Sequence, residues 1–347
     1  MSENHNRWLT GAALGFGALA ALAFVRREKR RFDFAGKTVL ITGGSRGLGL
    51  ILARHFAAEG ARIAICARDR TELARARDEL QAAGAEVFDC VTDMRDRSQV
   101  EHMVTDVMTR FGQIDVLVNN AGVIQVGPLE TQTQEDFEEA LAIHFWAPFY
   151  SMQAILPQMK RRGAGRIVNI ASFGGKVAVP HLAPYCASKF ALVGLSTAMR
   201  AELYKDNIFV TTVCPGLMRT GSHINAFFKG QNEIEYAMFS IMNGLPLTSI
   251  SAERAARQIV EACRRGKAEL IITIQAQAAA KLYGLFPEAV AEITALVNRM
   301  LPGAGGIGTK KAAGKESTSF AAPSFLTALS DRASARNNEL KPNEQIH

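Results

Sequence analysis

The chain has few cysteines and few aromatic residues. Aromatics make up 7% of its 347 positions, and there are five cysteines, at 66, 90, 186, 214 and 263. The cysteine count is odd and no two stand as CxxC, so neither a disulfide scaffold nor zinc-ligand spacing is present, and no metal site is expected. Five thiols without such a pattern suit small, reduced, partly buried side chains in a reducing compartment. Glycine, at 29 residues, lacks the period of collagen, and 48% apolar residues exclude disorder throughout. One-signed charge is also missing from the body. The net charge is +7, but RREKRR at 26–31 carries +4 of it and the tail 303–347 carries +2. A nucleic-acid groove needs its basic residues inside the fold, so this distribution excludes nucleic acid as a partner.

What is present begins with an apolar run. Trp8 to Val25 holds 18 residues without a charge. As a helix it would be about 27 Å long, close to a bilayer core. It has no polar face, which a soluble helix would normally show. The basic cluster follows it, whereas a cleaved signal carries its charge first. By the positive-inside rule, residues 1–31 read as an N-terminal transmembrane anchor with the catalytic body in the cytoplasm. A cleaved signal and an apolar helix docked on protein are the other readings. Its alanines and glycines also suit helix–helix contact in a membrane. Residues 303–347 are rich in Gly, Ala, Ser, Lys and Asn, and are expected to be mostly disordered, with a brief helix over 320–329.

Between these ends, strands are expected at 37–42, 62–66, 86–91, 115–119, 166–171, 208–213 and 269–274. Helical spacing occupies 47–58 and 69–83 and recurs between the later strands. Such alternation predicts βαβ units, and hence an α/β fold: a Rossmann-like, doubly wound parallel sheet in a single domain over 32–302. A last apolar stripe runs from Ala289 to Leu301 at helical spacing. It fits a helix packed on the body, a membrane surface or a dimer contact.

The first strand leads into Thr42-Gly43-Gly44-Ser45-Arg46-Gly47-Leu48-Gly49. Glycines permit a tight turn and close approach of backbone to a phosphate, and the following helix offers free N–H groups. The spacing is TGxxxGxG, not the commoner GxGxxG. Where an acid would bind a ribose 2′-hydroxyl after the second strand stand Ala67 and Arg68. Arg46 and Arg68 suit a 2′-phosphate and favour NADP(H) over NAD(H), unless each is merely a solvated surface residue.

Asn119-Asn120-Ala121-Gly122 ends the fourth strand, Ser172 follows the fifth, and Tyr185 and Lys189 stand one helical turn apart. Together with Pro215-Gly216, this ensemble resembles the short-chain dehydrogenase/reductase family over about residues 34–275, and the 13-residue step from Ser172 to Tyr185 is the family's. The resemblance implies Tyr185 as acid/base, Lys189 binding the nicotinamide ribose, and Ser172 hydrogen-bonding the substrate oxygen. It implies that Asp93 and Met94 meet the adenine, that Asn119, Ala121 and Gly122 line the cofactor, and that Pro215, Gly216 and Thr220 flank the nicotinamide. The family commonly forms homodimers or homotetramers. A tyrosine with an ordinary pKa near ~10 exchanges protons poorly at neutral pH, and Lys189 with a cationic nicotinamide is expected to lower it.

One position departs from the family. His144 stands where an asparagine normally holds a water in a proton relay, and an imidazole is able to take that relay over or to serve as a structural histidine. His181 and His223 are expected at the substrate pocket or at the surface, and Cys186 as packing. The insert up to about residue 250 carries Ile224, Phe227, Phe228, Tyr236, Met238, Phe239, Ile241 and Met242. In the family such a segment covers the substrate, so an apolar or amphipathic carbonyl or alcohol is expected. The rival readings are an NAD(H)-dependent alcohol dehydrogenase and a non-catalytic, membrane-tethered NADP-binding protein.

Overall fold

Seven short β-branched runs form the centre of the protein. The structure, a computed structural model, describes residues 30–340. The strands are β1 (Thr38–Thr42), β2 (Arg62–Ala67), β3 (Val87–Val91), β4 (Val116–Asn119), β5 (Gly165–Ile170), β6 (Ile208–Pro215) and β7 (Glu269–Ile272). They pair in the order β7-β6-β5-β4-β1-β2-β3, with every pairing parallel. The winding therefore reverses between β1 and β4, and a crevice opens beyond their carboxyl ends at Thr42 and Asn119. Strands buried on both faces read as continuous apolar runs, as TVLIT in β1 does.

Helices cover both faces. One layer is α1 (Gly47–Ala58), α2 (Arg70–Ala82) and α8 (Ala252–Arg264), joined through Leu50, Ile51, Leu73, Ala256 and Ile259. The other is α3 (Arg97–Phe111), α5 (Ala147–Arg162) and α6 (Ala183–Leu203). Asp69 and Asp96 start α2 and α3 by accepting backbone N–H bonds, the usual work of an N-cap carboxylate. Helix α4 (Gln134–Leu141) runs into α5 through a π-helical turn at Ala142–Trp146. The insert after β6 contains α7 (Asn232–Gly244).

Beyond β7 the chain forms α9 (Ile274–Leu285) and α10 (Pro287–Asn298). The apolar stripe of α10 is helical, but packing on the body is not its role: the helix has no buried residue, and Ile293 is 58% exposed.

The tail differs most from expectation. Residues 303–340 are packed on the body rather than disordered, and the helix α11 lies at Ala328–Arg336, not 320–329. Ser330, Ser334, Asn337 and Glu339 are buried. Asn337 donates to the Thr220 carbonyl, and Ser334 to the Gly221 carbonyl. Composition alone pointed to disorder because these bonds join residues far apart in sequence. The run Trp8–Val25 lies outside the described residues. Among the described residues no helix is long and apolar enough to cross a membrane.

Candidate active site

The glycine turn is held by its neighbours across the crevice. The Thr42 hydroxyl accepts the N–H groups of Asn120 and Ala121, and the Asn120 amide donates to the carbonyls of Thr42 and Gly43. Gly43 has φ +63°, and a Cβ there would stand 2.9 Å from the Ala121 Cα. A Cβ on Gly49 would collide with the Gly43 carbonyl oxygen. Only glycine serves at both positions. Helix α1 starts at Gly47, with Leu48 buried beside it and no acid in its first turn, so its amide end favours an anion.

Arg46 lies beside this turn but is not free. Its guanidinium contacts Glu72 at 3.0 Å and Glu339 at 3.3 Å. The Ser45 hydroxyl also reaches Glu72. Arg68 is exposed at the end of β2. The Asp93 carboxylate is held by Arg95, whose hydrogen bond keeps it below the usual carboxylate range. Met94 is buried with its sulfur against Cys66.

The side chain of Asn119 goes into the scaffold. Its amide donates to Asn169 on β5 and accepts from Ser151, and the chain of bonds continues through Ser196 to Thr212. This buried network locks β4, β5 and β6 to α5 and α6. Asn120, Asn169, Ser151 and Ser196 are functional supports that motif reading did not single out; only the NNAG run hinted at the first. Pro215 ends β6, and Gly216 packs where a Cβ would stand 2.9 Å from Thr273 Oγ1. Thr220 is buried with its hydroxyl donating to Ser222.

Ser172 and Tyr185 meet at the carboxyl end of β5, where the Ser172 hydroxyl acts to lower the pKa of the phenol. Lys189 is buried one turn along α6, with Nζ donating to the Ile170 carbonyl at 2.9 Å and 5.6 Å from the centre of the Tyr185 ring. Burial lowers Lys189 to about 7 and pushes Tyr185 up to about 12, against the lowering effect of Ser172. The expected depression of Tyr185 is thus not a property of the protein alone. Desolvation is the larger influence here.

His144 sits on the π-helical turn, edge-on to Tyr185 with ring centres 5.3 Å apart. Nε2 accepts the Val123 N–H at 3.2 Å, and Nδ1 lies 2.8 Å from Ser188 Oγ. Ser188 in turn donates to the Tyr185 carbonyl. A ring accepting at Nε2 must carry its proton on Nδ1. Burial, with Lys189 nearby, holds its pKa well below the ordinary value. Both nitrogens are met by neutral partners, the arrangement of a structural histidine, one of the two readings open from the sequence.

The side chains of His181 and His223 are buried and not at the surface. His181 pairs with Glu235 and His223 with Asp331. Cys186 is buried packing, its thiol pushed up by burial. The insert's larger apolar groups, Phe228 and Tyr236, fill a small core with Val126 and Ala322 instead of lining a pocket. Met238 and Phe239 are half-buried. No group of His, Cys, Asp and Glu among the described residues is arranged to hold a metal ion.

Comparison with known proteins decides the family. Residues 37–228 match the model of the short chain dehydrogenases. The chain belongs to the short-chain dehydrogenase/reductase family. It is 36% identical over 233 residues to a granaticin polyketide synthase ketoacyl reductase of Streptomyces violaceoruber, covering 65% of this chain and 86% of that one. An actinorhodin polyketide ketoreductase solved with NADPH shares 30% identity, covering 68% and 95% of the two chains with a TM-score of 0.62. A short chain dehydrogenase/reductase of Burkholderia phymatum, solved with NAD, shares 25% identity over 74% and 96%, with a TM-score of 0.68. As a member of this family the chain is an oxidoreductase with a Rossmann-like fold.

Proposed function

We propose that this protein is an NADP(H)-dependent oxidoreductase that interconverts a carbonyl and an alcohol on an apolar or amphipathic substrate. The observation that carries this reading is the meeting of Ser172, Tyr185 and Lys189 at the carboxyl edge of the sheet, beside the glycine turn. The residues fit the dinucleotide. Gly43 and Gly49 let the turn close tightly on Ala121 and on its own backbone, a shape that side chains would break. Arg46 and Arg68 bring cations to the ends of β1 and β2, where a 2′-phosphate needs them.

NADP(H) supplies or accepts the hydride when bound. The protein's part is to manage the oxygen. Tyr185, protonated across the neutral range, donates its phenolic proton to the oxygen that gains charge. Ser172 hydrogen-bonds the same oxygen and orients it. Lys189, titrating near 7, offers a cation that lowers the cost of the phenolate left behind. His144 holds residues 121–123 and the start of α6 at a fixed distance.

A second reading, NAD(H), has one observation in its favour: Glu72 and Glu339 already neutralise Arg46. Affinities for NADPH and NADH decide between the two. The apolar substrate rests on the half-buried Met238 and Phe239 and on the run Trp8–Val25, which we read as a tether with the body on the cytoplasmic side. The chain enters the body at Arg30, whose carbonyl accepts from Arg166 near the start of β5, so a tether there attaches at the edge opposite Tyr185.

The test is a panel of ketones and alcohols with both cofactors, comparing wild type with Tyr185→Phe. Turnover by wild type and its loss by at least a hundredfold in the variant are expected. Equal background NADPH consumption by both across the panel overturns the reading.

A further inference from the structure

The cradle built for a phosphate is in contact with another anion of the same chain. Glu339 is 5% exposed and its carboxylate lies on the glycine turn. One oxygen is 3.3 Å from Arg46 Nε and 2.8 Å from Asn225 Nδ2. A Cβ on Gly47 would stand 2.5 Å from the other. The Gly47 N–H, the first amide of α1, donates to the Asn337 carbonyl at 2.9 Å. Asn338 donates to the carbonyls of Ser45 and Glu72 and accepts from Arg75. Arg54 donates to Asn337. With Arg75 donating to the Leu340 carbonyl, four consecutive tail residues are tied to the first turn of α1 and its flank by specific polar bonds.

Helix α11 fixes these residues in place. Asp331 bonds His223, and Ser334 packs on Gly221 so closely that a Cβ there would meet its backbone. The tail reaches the turn from a firm base, and the residues just after α11 are the part that lies at the Gly47 amide.

We propose that residues 337–340 are a built-in occupant of the cofactor's phosphate site, and that NADP(H) binds by displacing Glu339 from Arg46 and the Asn337 carbonyl from the Gly47 amide. This rests on the cofactor reading above. A carboxylate and a phosphate are drawn to the same helix N-terminus and the same guanidinium, and one set of donors cannot serve both. A tail tethered at α11 competes at a high effective concentration. The need to release it therefore scales the apparent affinity down to the fraction of time the site is uncovered.

The experiment measures NADPH binding to the full chain by nucleotide fluorescence, for wild type, Glu339→Gln and a chain ending at Arg336. Glu339→Gln preserves size and removes the charge, so it stands if the truncation folds poorly. Both variants are expected to bind NADPH at least tenfold tighter. In wild type, saturating NADPH is expected to speed amide hydrogen exchange over 337–340 while α11 stays protected. Unchanged or weaker binding in both variants, or slower exchange of 337–340 with NADPH, overturns the proposal and leaves the cofactor reading intact. Absence of NADPH binding in all three proteins overturns both.

Discussion

The imidazole Nδ1 of His144 lies 2.8 Å from the hydroxyl of Ser188, and that hydroxyl donates onward to the carbonyl of Tyr185. A side chain at the centre of a helical bulge thus fixes Tyr185, the proposed proton donor, through its backbone. The bulge is what turns His144 towards α6; such turns often mark functional positions.

His144→Asn is expected to leave the pH profile of turnover unchanged between 6 and 8, because the ring does not titrate there in the folded protein. It should instead alter acid stability. A histidine held neutral below its unfolded value contributes stability that is complete above about pH 6.5 and is lost as pH falls. The gap in Tm between wild type and variant should therefore shrink from pH 7 to pH 5. A profile that shifts near neutrality in the variant would restore the proton-relay role.

Lys189 carries its charge below about 7 and loses it above. Measured as kcat/KM for NADPH, which reports the free enzyme, carbonyl reduction should decline as pH rises through 7. Tyr185 remains a proton donor throughout this range. A flat profile to pH 9 would show that Lys189 stays charged or that its charge is not used.

Asp136 and Lys229 form an ion pair with both side chains 1% exposed, and Lys311 adds a second cation at 2.9 Å. Burial alone would raise the Asp136 carboxyl; the Lys229 bond overcomes this and keeps it well below the carboxylate range. Asp136→Ala leaves Lys229 buried with only the Thr131 carbonyl. Loss of one partner from a buried pair costs about 3–5 kcal/mol, to be read from urea unfolding. A loss under about 1 kcal/mol would mean that water reaches Lys229.

Arg68→Ala should weaken NADPH more than NADH, by tenfold or more in the ratio of Kd values, since a guanidinium at a 2′-phosphate is lost with no effect on a hydroxyl. Arg46→Ala should do less, because Arg46 already has two carboxylate partners. An unchanged ratio in both variants favours the NAD(H) reading.

The parallel sheet was legible because its signals are local. The run TVLIT, the turn TGGSRGLG and the Tyr185–Lys189 step each lie within one or two elements. The strand limits Ile208–Pro215 and Glu269–Ile272 depart from expectation by two residues at one end. What was hidden depends on partners distant in sequence. Asn337 and Asn338 look like linker residues until they meet Thr220 and Ser45. Phe228 and Tyr236 look like pocket walls until they meet Val126 and Ala322. The stripe of α10 shows the converse: periodicity foretold a helix but not what it faces. His144 was visible as a departure, yet its tautomer needed the Val123 N–H.

The bond from Asn338 to the Ser45 carbonyl spans 293 positions. In a chain made from its N-terminus, strands β1 to β7 are all synthesised before the tail that covers the glycine turn exists. At about 5–20 residues per second, the 66 residues from Thr273 through Asn338 take several seconds to add. A nascent chain therefore offers its nucleotide cradle before the competing tail exists, whereas in the finished protein the nucleotide must displace that tail, and the ligand met first is set by the order of synthesis.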